Sequence, residues 1–180
     1  MFGETGMIIG QILSFVAVAT GFTSFQMKTT GGILFFQILT GLLFSAHYLL
    51  IGAPTAAALN LLATVMGMCY YIRNKRESKS LFIPILFTVL IFITSLLTWD
   101  GWYSIFLLLG LAINAVNLSL SNPQTIRKLV LIKSPLCLIY NACVFSTGGI
   151  IYEVATLTSA IIGILKNRTK KQKSDQTTDL

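Results

Sequence analysis

Seven stretches of this chain are apolar over roughly 20 residues each, the length an α-helix needs to cross about 30 Å of hydrocarbon. They cover residues 6–25, 31–51, 53–72, 81–98, 102–120, 126–145 and 149–165. The breaks between them are short and polar. Arg73 to Lys79 forms a basic loop, Asp100-Gly101 a tight turn, and Ser121-Asn122-Pro123 a stop, because proline disfavours helix in the residue before it. Of the 180 residues, 54% are apolar and 11% charged, and the mean hydropathy is +0.78. The charged share is about half that of a soluble domain. These features exclude a disordered chain, a secreted disulfide scaffold and an ordinary cytosolic enzyme. They predict one all-α integral membrane domain over 1–165, followed at 166–180 by a disordered basic tail.

The placement of charge predicts the topology. With the N-terminus outside, the inner loops hold Lys28, then Arg73, Lys75, Arg76 and Lys79, then Arg127 and Lys128. The inner tail holds Lys166, Arg168, Lys170, Lys171 and Lys173, and Lys133 is expected to snorkel from span six to the inner interface. All 13 basic residues are then accounted for, and the outer side carries only Glu4 and Asp100. That asymmetry predicts a multi-pass protein with its N-terminus outside and its C-terminus cytoplasmic. It also explains the net charge of +7 without nucleic acid, since the basic residues sit at span ends. Ala17-Val18-Ala19 has the small-residue pattern of a signal-peptidase site, but no positive charge precedes the run, which continues to Phe25. The segment is expected to stay as the first span.

Seven spans with a charged hinge after the third suggest three plus one plus three. His47, Asn60 and Arg73 lie 93 residues before Tyr140, Glu153 and Lys166, and Gln11 lies 93 before Ser104. At this offset Gly52-Ala53-Pro54 falls on Phe145-Ser146-Thr147. Identities are at chance level: Ile12/Ile105, Ala19/Ala112, Ile33/Ile126, Leu43/Leu136 and Asn74/Asn167. The proposed repeat therefore rests on layout and polar positions. It predicts two parallel three-helix bundles, over 6–75 and 101–168, joined by a linker helix over 80–98. One extra crossing is what lets two three-helix units point the same way.

The stretch 37–75 carries a family resemblance. It holds His47-Tyr48-Leu49-Leu50-Ile51-Gly52, then Ala53 to Ala58, Asn60 and a terminal Arg73. In these residues and in its span layout the chain resembles the bacterial inner-membrane YgjV family, whose layout is similar in turn to the SWEET, PQ-loop and PnuC transporters. The resemblance to SWEET proteins implies a central pocket faced by an asparagine on span three and another on span seven, with bulky aromatics on spans two and six above it. Asn60 matches the first asparagine, Glu153 stands where the second would be, and His47 and Tyr140 lie near the aromatic positions. SWEET proteins carry hinge prolines in four spans. Here Pro135 alone stands inside such a span, opposite Leu42, and is the expected hinge.

Polar groups inside a bilayer need a partner or a watery cavity. Glu153, about four residues into span seven, could bind a cation, a proton or a hydrogen-bond donor, or reach the outer interface. Asn60 suits hydroxyl or amide ligands, or an interhelical bond. His47 could relay protons, but with no second ligand at helical spacing it is not a metal site. Gln11 and Ser104 enter from the same outer side and could complete the cavity. Asn114 and Asn117 either line an inner vestibule or bind helices together. Trp99 and Trp102 read as an interfacial belt. Cys69, Cys137 and Cys143 read as small buried hydrophobes. No Walker loop, His-Glu-x-x-His or paired carboxylate is present, so neither enzymatic activity nor a cofactor is expected. The expected function is transport of a small polar solute by rocking of the two bundles, with the lipid bilayer as the surrounding partner. The alternative is a non-transporting receptor or scaffold whose basic loop and tail contact anionic lipid or a cytosolic protein.

Overall fold

The computed structural model describes residues 3–27, 30–76, 81–118, 120 and 122–178, with the helix path alone from Asn167 onward. Lys28, Lys79 and Ser121, expected in loops, lie outside the described residues. Among the described residues there are seven α-helices and no strand. They are α1 (Gly3–Gln26), α2 (Thr30–Leu50), α3 (Pro54–Lys75), α4 (Phe82–Leu97), α5 (Ser104–Leu118), α6 (Pro123–Cys143) and α7 (Thr147–Thr178). Each matches one apolar run of the sequence. Residues 3–24, 54–73 and 147–166 form helices long and apolar enough to cross a membrane. Shorter apolar helical stretches cover 34–50, 82–97 and 104–117. Helix α6 carries Arg127, Lys128 and Lys133, which break its apolar run.

Local chemistry sets the helix ends. The Asn122 side chain accepts from the backbone N–H of Gln124 at 2.9 Å, and Pro123 opens α6 where a missing N–H costs nothing. The sequence-level stop at Asn122-Pro123 is thus a helix start as well. Helix α7 departs from expectation at its far end. It runs 32 residues, about 48 Å, through the segment expected as a tail. No glycine or proline follows Gly163, and Lys, Gln and Arg have favourable helix propensity, so nothing local ends it earlier.

The turns after α2 and α6 share one geometry. In both, a residue with positive φ follows the helix: Gly52 at 80° and Phe145 at 55°. Gly52 N–H donates to Leu49 O (3.2 Å) and Ala53 N–H to Tyr48 O (2.8 Å). Phe145 N–H donates to Ala142 O (3.3 Å) and Ser146 N–H to Asn141 O (2.9 Å). Each is a Schellman motif, and every donor and acceptor has its counterpart 93 residues along. Helices α2 and α6 are also equal in length, at 21 residues, with both ends 93 apart.

Helix contacts run α1 to α2, α2 to α3, α3 to α5, α5 to α6, α6 to α7 and α7 back to α1, while α4 packs on α3 and α5. Glycine allows close approach: a Cβ on Gly148 of α7 would overlap Ser14 of α1, coming within 2.9 Å of its backbone carbon. Large apolar side chains face outward, among them Ile8, Phe35, Phe82 and Leu97, the last 80% exposed. Serines, threonines, His47, Asn141 and Glu153 are buried instead. An apolar exterior, with the polar groups held inside among an apolar core, is the arrangement a bilayer favours.

Candidate functional site

One end of the molecule holds Glu4, Asp100 and the turns after α2, α4 and α6. We call it the acidic end. The opposite, basic end holds Arg73, Lys75, Arg76, Arg127 and Lys128.

A layer of hydrogen bonds ties helices together near the acidic end. His47, wholly buried on α2, donates through Nδ1 to Gly10 O of α1 (2.8 Å). Its Nε2 then accepts from the Ser146 hydroxyl at the head of α7 (2.7 Å). Ser146 Oγ in turn accepts from Gly149 N–H (3.2 Å), so one neutral tautomer satisfies the whole set. Gln11 clamps the α6–α7 turn from both sides, donating to Phe145 O (2.6 Å) and accepting from Thr147 N–H (3.2 Å). Holding Phe145 at positive φ costs roughly 1–2 kcal/mol, and this clamp opposes it. On the other flank Asp100 accepts from Ser104 Oγ and from the Tyr140 hydroxyl (3.0 Å), and Thr55 donates to Thr98 O. In the middle, the Tyr48 hydroxyl donates to Asn141 Oδ1 at 2.6 Å.

Beneath this layer lies a cavity of about 370 Å³, at the small end for a ligand pocket. It is lined by α1, α2, α3, α5, α6 and α7, and its roof is Tyr48 and Asn141. Asn60 and Glu153 both line it, so the structure brings together the two residues that the 93-residue offset pairs. His47, Tyr140, Gln11 and Ser104 are not among its lining residues; they belong to the hydrogen-bonded layer above. Pro135 stands on α6 between Lys133 and Cys137, which both line the cavity. Asn114 lines it as well, whereas Asn117 does not.

The polar groups of the cavity fall into two kinds. Asn60 donates to Ala56 O (2.9 Å), Thr64 to Asn60 O (2.9 Å) and Thr40 to Phe36 O (2.7 Å), so these three side chains of the α2–α3 wall are bonded within their own helices. Glu153 is 8% exposed, and its Oε2 has no hydrogen-bond partner. Lys133 feels the Glu153 charge, yet among the described residues no ion pair joins them.

Lys133, expected to snorkel from span six to the inner interface, lines the cavity. Ten residues beyond Pro123, it stands roughly 15 Å along α6, deep enough to enter the cavity. Counting depth from Pro123 would have found it. Tyr48 and Asn141 were missed too, although they are 93 residues apart and the same offset could have flagged them.

With this geometry in view, the comparison with known families is informative. The family described as bacterial inner membrane protein YgjV (Imp-YgjV) matches residues 8–171. The chain belongs to the YgjV family. The resemblance carried by residues 37–75 therefore extends over nearly the whole YgjV-family chain, and every cavity-lining residue falls within it. No curated protein and no solved structure matches it. Membership assigns the chain to the bacterial inner membrane, in agreement with its apolar helices.

Proposed function

We propose that this YgjV-family protein is a seven-span transporter of a small polar solute, built as 3+1+3 and working by rocking of α1–α3 against α5–α7 about the central cavity. The observation that carries the reading is the pairing of cavity residues. Thr40 with Lys133, Phe44 with Cys137, Tyr48 with Asn141, and Asn60 with Glu153 are each 93 residues apart, and both members of each pair line the cavity. A position can touch its own repeat partner only near a two-fold axis, and Tyr48 bonds Asn141 directly. A cavity on such an axis is where a rocking transporter holds its solute. The paired Schellman turns and the helix contacts support the same symmetry, since α1–α7 corresponds to α5–α3.

In this mechanism the basic end faces the cytoplasm by the positive-inside rule. The layer from Gln11 through His47, Tyr48 and Asn141 to Tyr140 and Asp100 is then the closed outer gate. Ser104 holds Asp100, Asn60 and Glu153 contact the solute, and Pro135 supplies the bend in α6. Opening to the outside exchanges the bonds between bundles for bonds to water. No covalent chemistry is assigned to the chain. The test is uptake of a panel of polar solutes into proteoliposomes, with Glu153→Gln and Asn60→Ala beside the wild type. Solute entering faster than into empty vesicles, and slower with Glu153→Gln, supports transport. Entry no faster than into empty vesicles for every solute overturns it and favours the scaffold, for which the Asn60 bond within its own helix would suffice.

A further inference from the structure

We infer that the solute is a small zwitterion of the amino-acid class, its carboxylate on Lys133 and its ammonium on Glu153. This rests on the transport reading and narrows it. Both ions come from the second half of the chain, Lys133 from α6 and Glu153 from α7, and both line the one cavity. When both are ionised they carry opposite charge, yet among the described residues neither has a hydrogen bond or an ion pair. A buried carboxylate with an orphan oxygen is costly unless something supplies a donor. The other polar lining groups are neutral, among them Gln37 and Thr40 on α2, Asn60 and Thr64 on α3, and Asn114 on α5.

The cavity is therefore balanced in charge but unpaired. A cation would satisfy only Glu153, and an anion only Lys133. A neutral polyol would bring an opposite charge to neither ion. A zwitterion neutralises the two at once, and charge-assisted bonds are the strong ones. The lining also includes Phe44, Leu107 and Leu111, an apolar surface for the solute's side chain. The volume of about 370 Å³ suits a molecule of that size.

The experiment uses the full chain, both purified and in proteoliposomes. The probes are leucine, alanine and glutamine; isoamylamine and 4-methylpentanoate, which each keep one charge of leucine; and ribose and glycerol. Thermal stabilisation reports binding, and radiolabel entry reports transport. At least one amino acid is expected to bind and enter. Its single-charge analogues are expected to bind about tenfold or more weakly. Lys133→Gln is expected to erase the preference for the amino acid over its amine, and Glu153→Gln the preference over its acid. Lys133→Arg is expected to keep it, which controls for folding. Entry of ribose or glycerol with no amino acid overturns the zwitterion and leaves transport standing. If no probe binds or enters, both are overturned.

Discussion

Helices α2 and α6 have the same length and end in the same turn, yet the two halves of the molecule differ in how their polar groups are used. In α2 and α3 the cavity-facing Thr40, Asn60 and Thr64 donate to carbonyls of their own helices. At the corresponding depth α6 and α7 present Lys133 and Glu153, which no hydrogen bond or ion pair joins to a described residue, and Glu153 Oε2 is buried without a partner. The turns differ in the same sense. The first half places Gly52 at positive φ without strain, and the second places Phe145 there and braces it with Gln11. The comparison teaches that Thr40, Asn60 and Thr64 are satisfied within their own helices, whereas Glu153 keeps an unpartnered oxygen.

The largest expected effect tests that division. Removing a charge by Glu153→Gln or Lys133→Gln should lower solute uptake roughly tenfold to a hundredfold, as loss of a charge-assisted bond implies. Asn60→Ala and Thr40→Val should lower it only a few-fold. Comparable losses in both halves, read by initial uptake rates, would break the contrast.

Packing offers the next contrast. Gly148→Ala should destabilise by about 1–3 kcal/mol, because the new methyl meets Ser14. Gly67→Ala has open space beside it, so thermal unfolding in detergent should show almost no change. A third effect concerns the contact between the halves. A double-mutant cycle of Tyr48→Phe and Asn141→Ala should yield a coupling of about 0.6–1.7 kcal/mol, typical of bonds between membrane helices. Additive losses would mean that the two side chains act independently.

The smallest effect sharpens the turn comparison. Phe145→Gly should relieve strain and stabilise by about 1 kcal/mol or less, whereas Gly52→Ala should destabilise by about 1 kcal/mol. The check is again the unfolding temperature of the purified chain.

Much of this architecture is legible in the sequence, because bilayer thickness fixes span length and charge asymmetry marks the ends. All seven runs became helices, and Asn122-Pro123 divides α5 from α6. Asn60 and Glu153 emerged as a pair because the offset of 93 residues survives where identities do not. Lys133 was hidden by a general habit of lysine: a long side chain near a basic helix end is expected to reach outward, and only the neighbouring helices decide otherwise. The closing layer was hidden for a different reason. His47 bonds to Ser146 and Gln11 to Phe145 across more than ninety residues, and periodicity along one helix carries no information about such partners.

The most direct test of a cavity between two rocking bundles is to tie its roof. Cysteines at positions 48 and 141, in a chain whose Cys69, Cys137 and Cys143 are replaced by alanine, can be joined by a short, reducible thiol cross-linker. Uptake into proteoliposomes should stop when the link forms and return when it is cleaved. Uptake that continues unchanged through the linked roof would contradict the account.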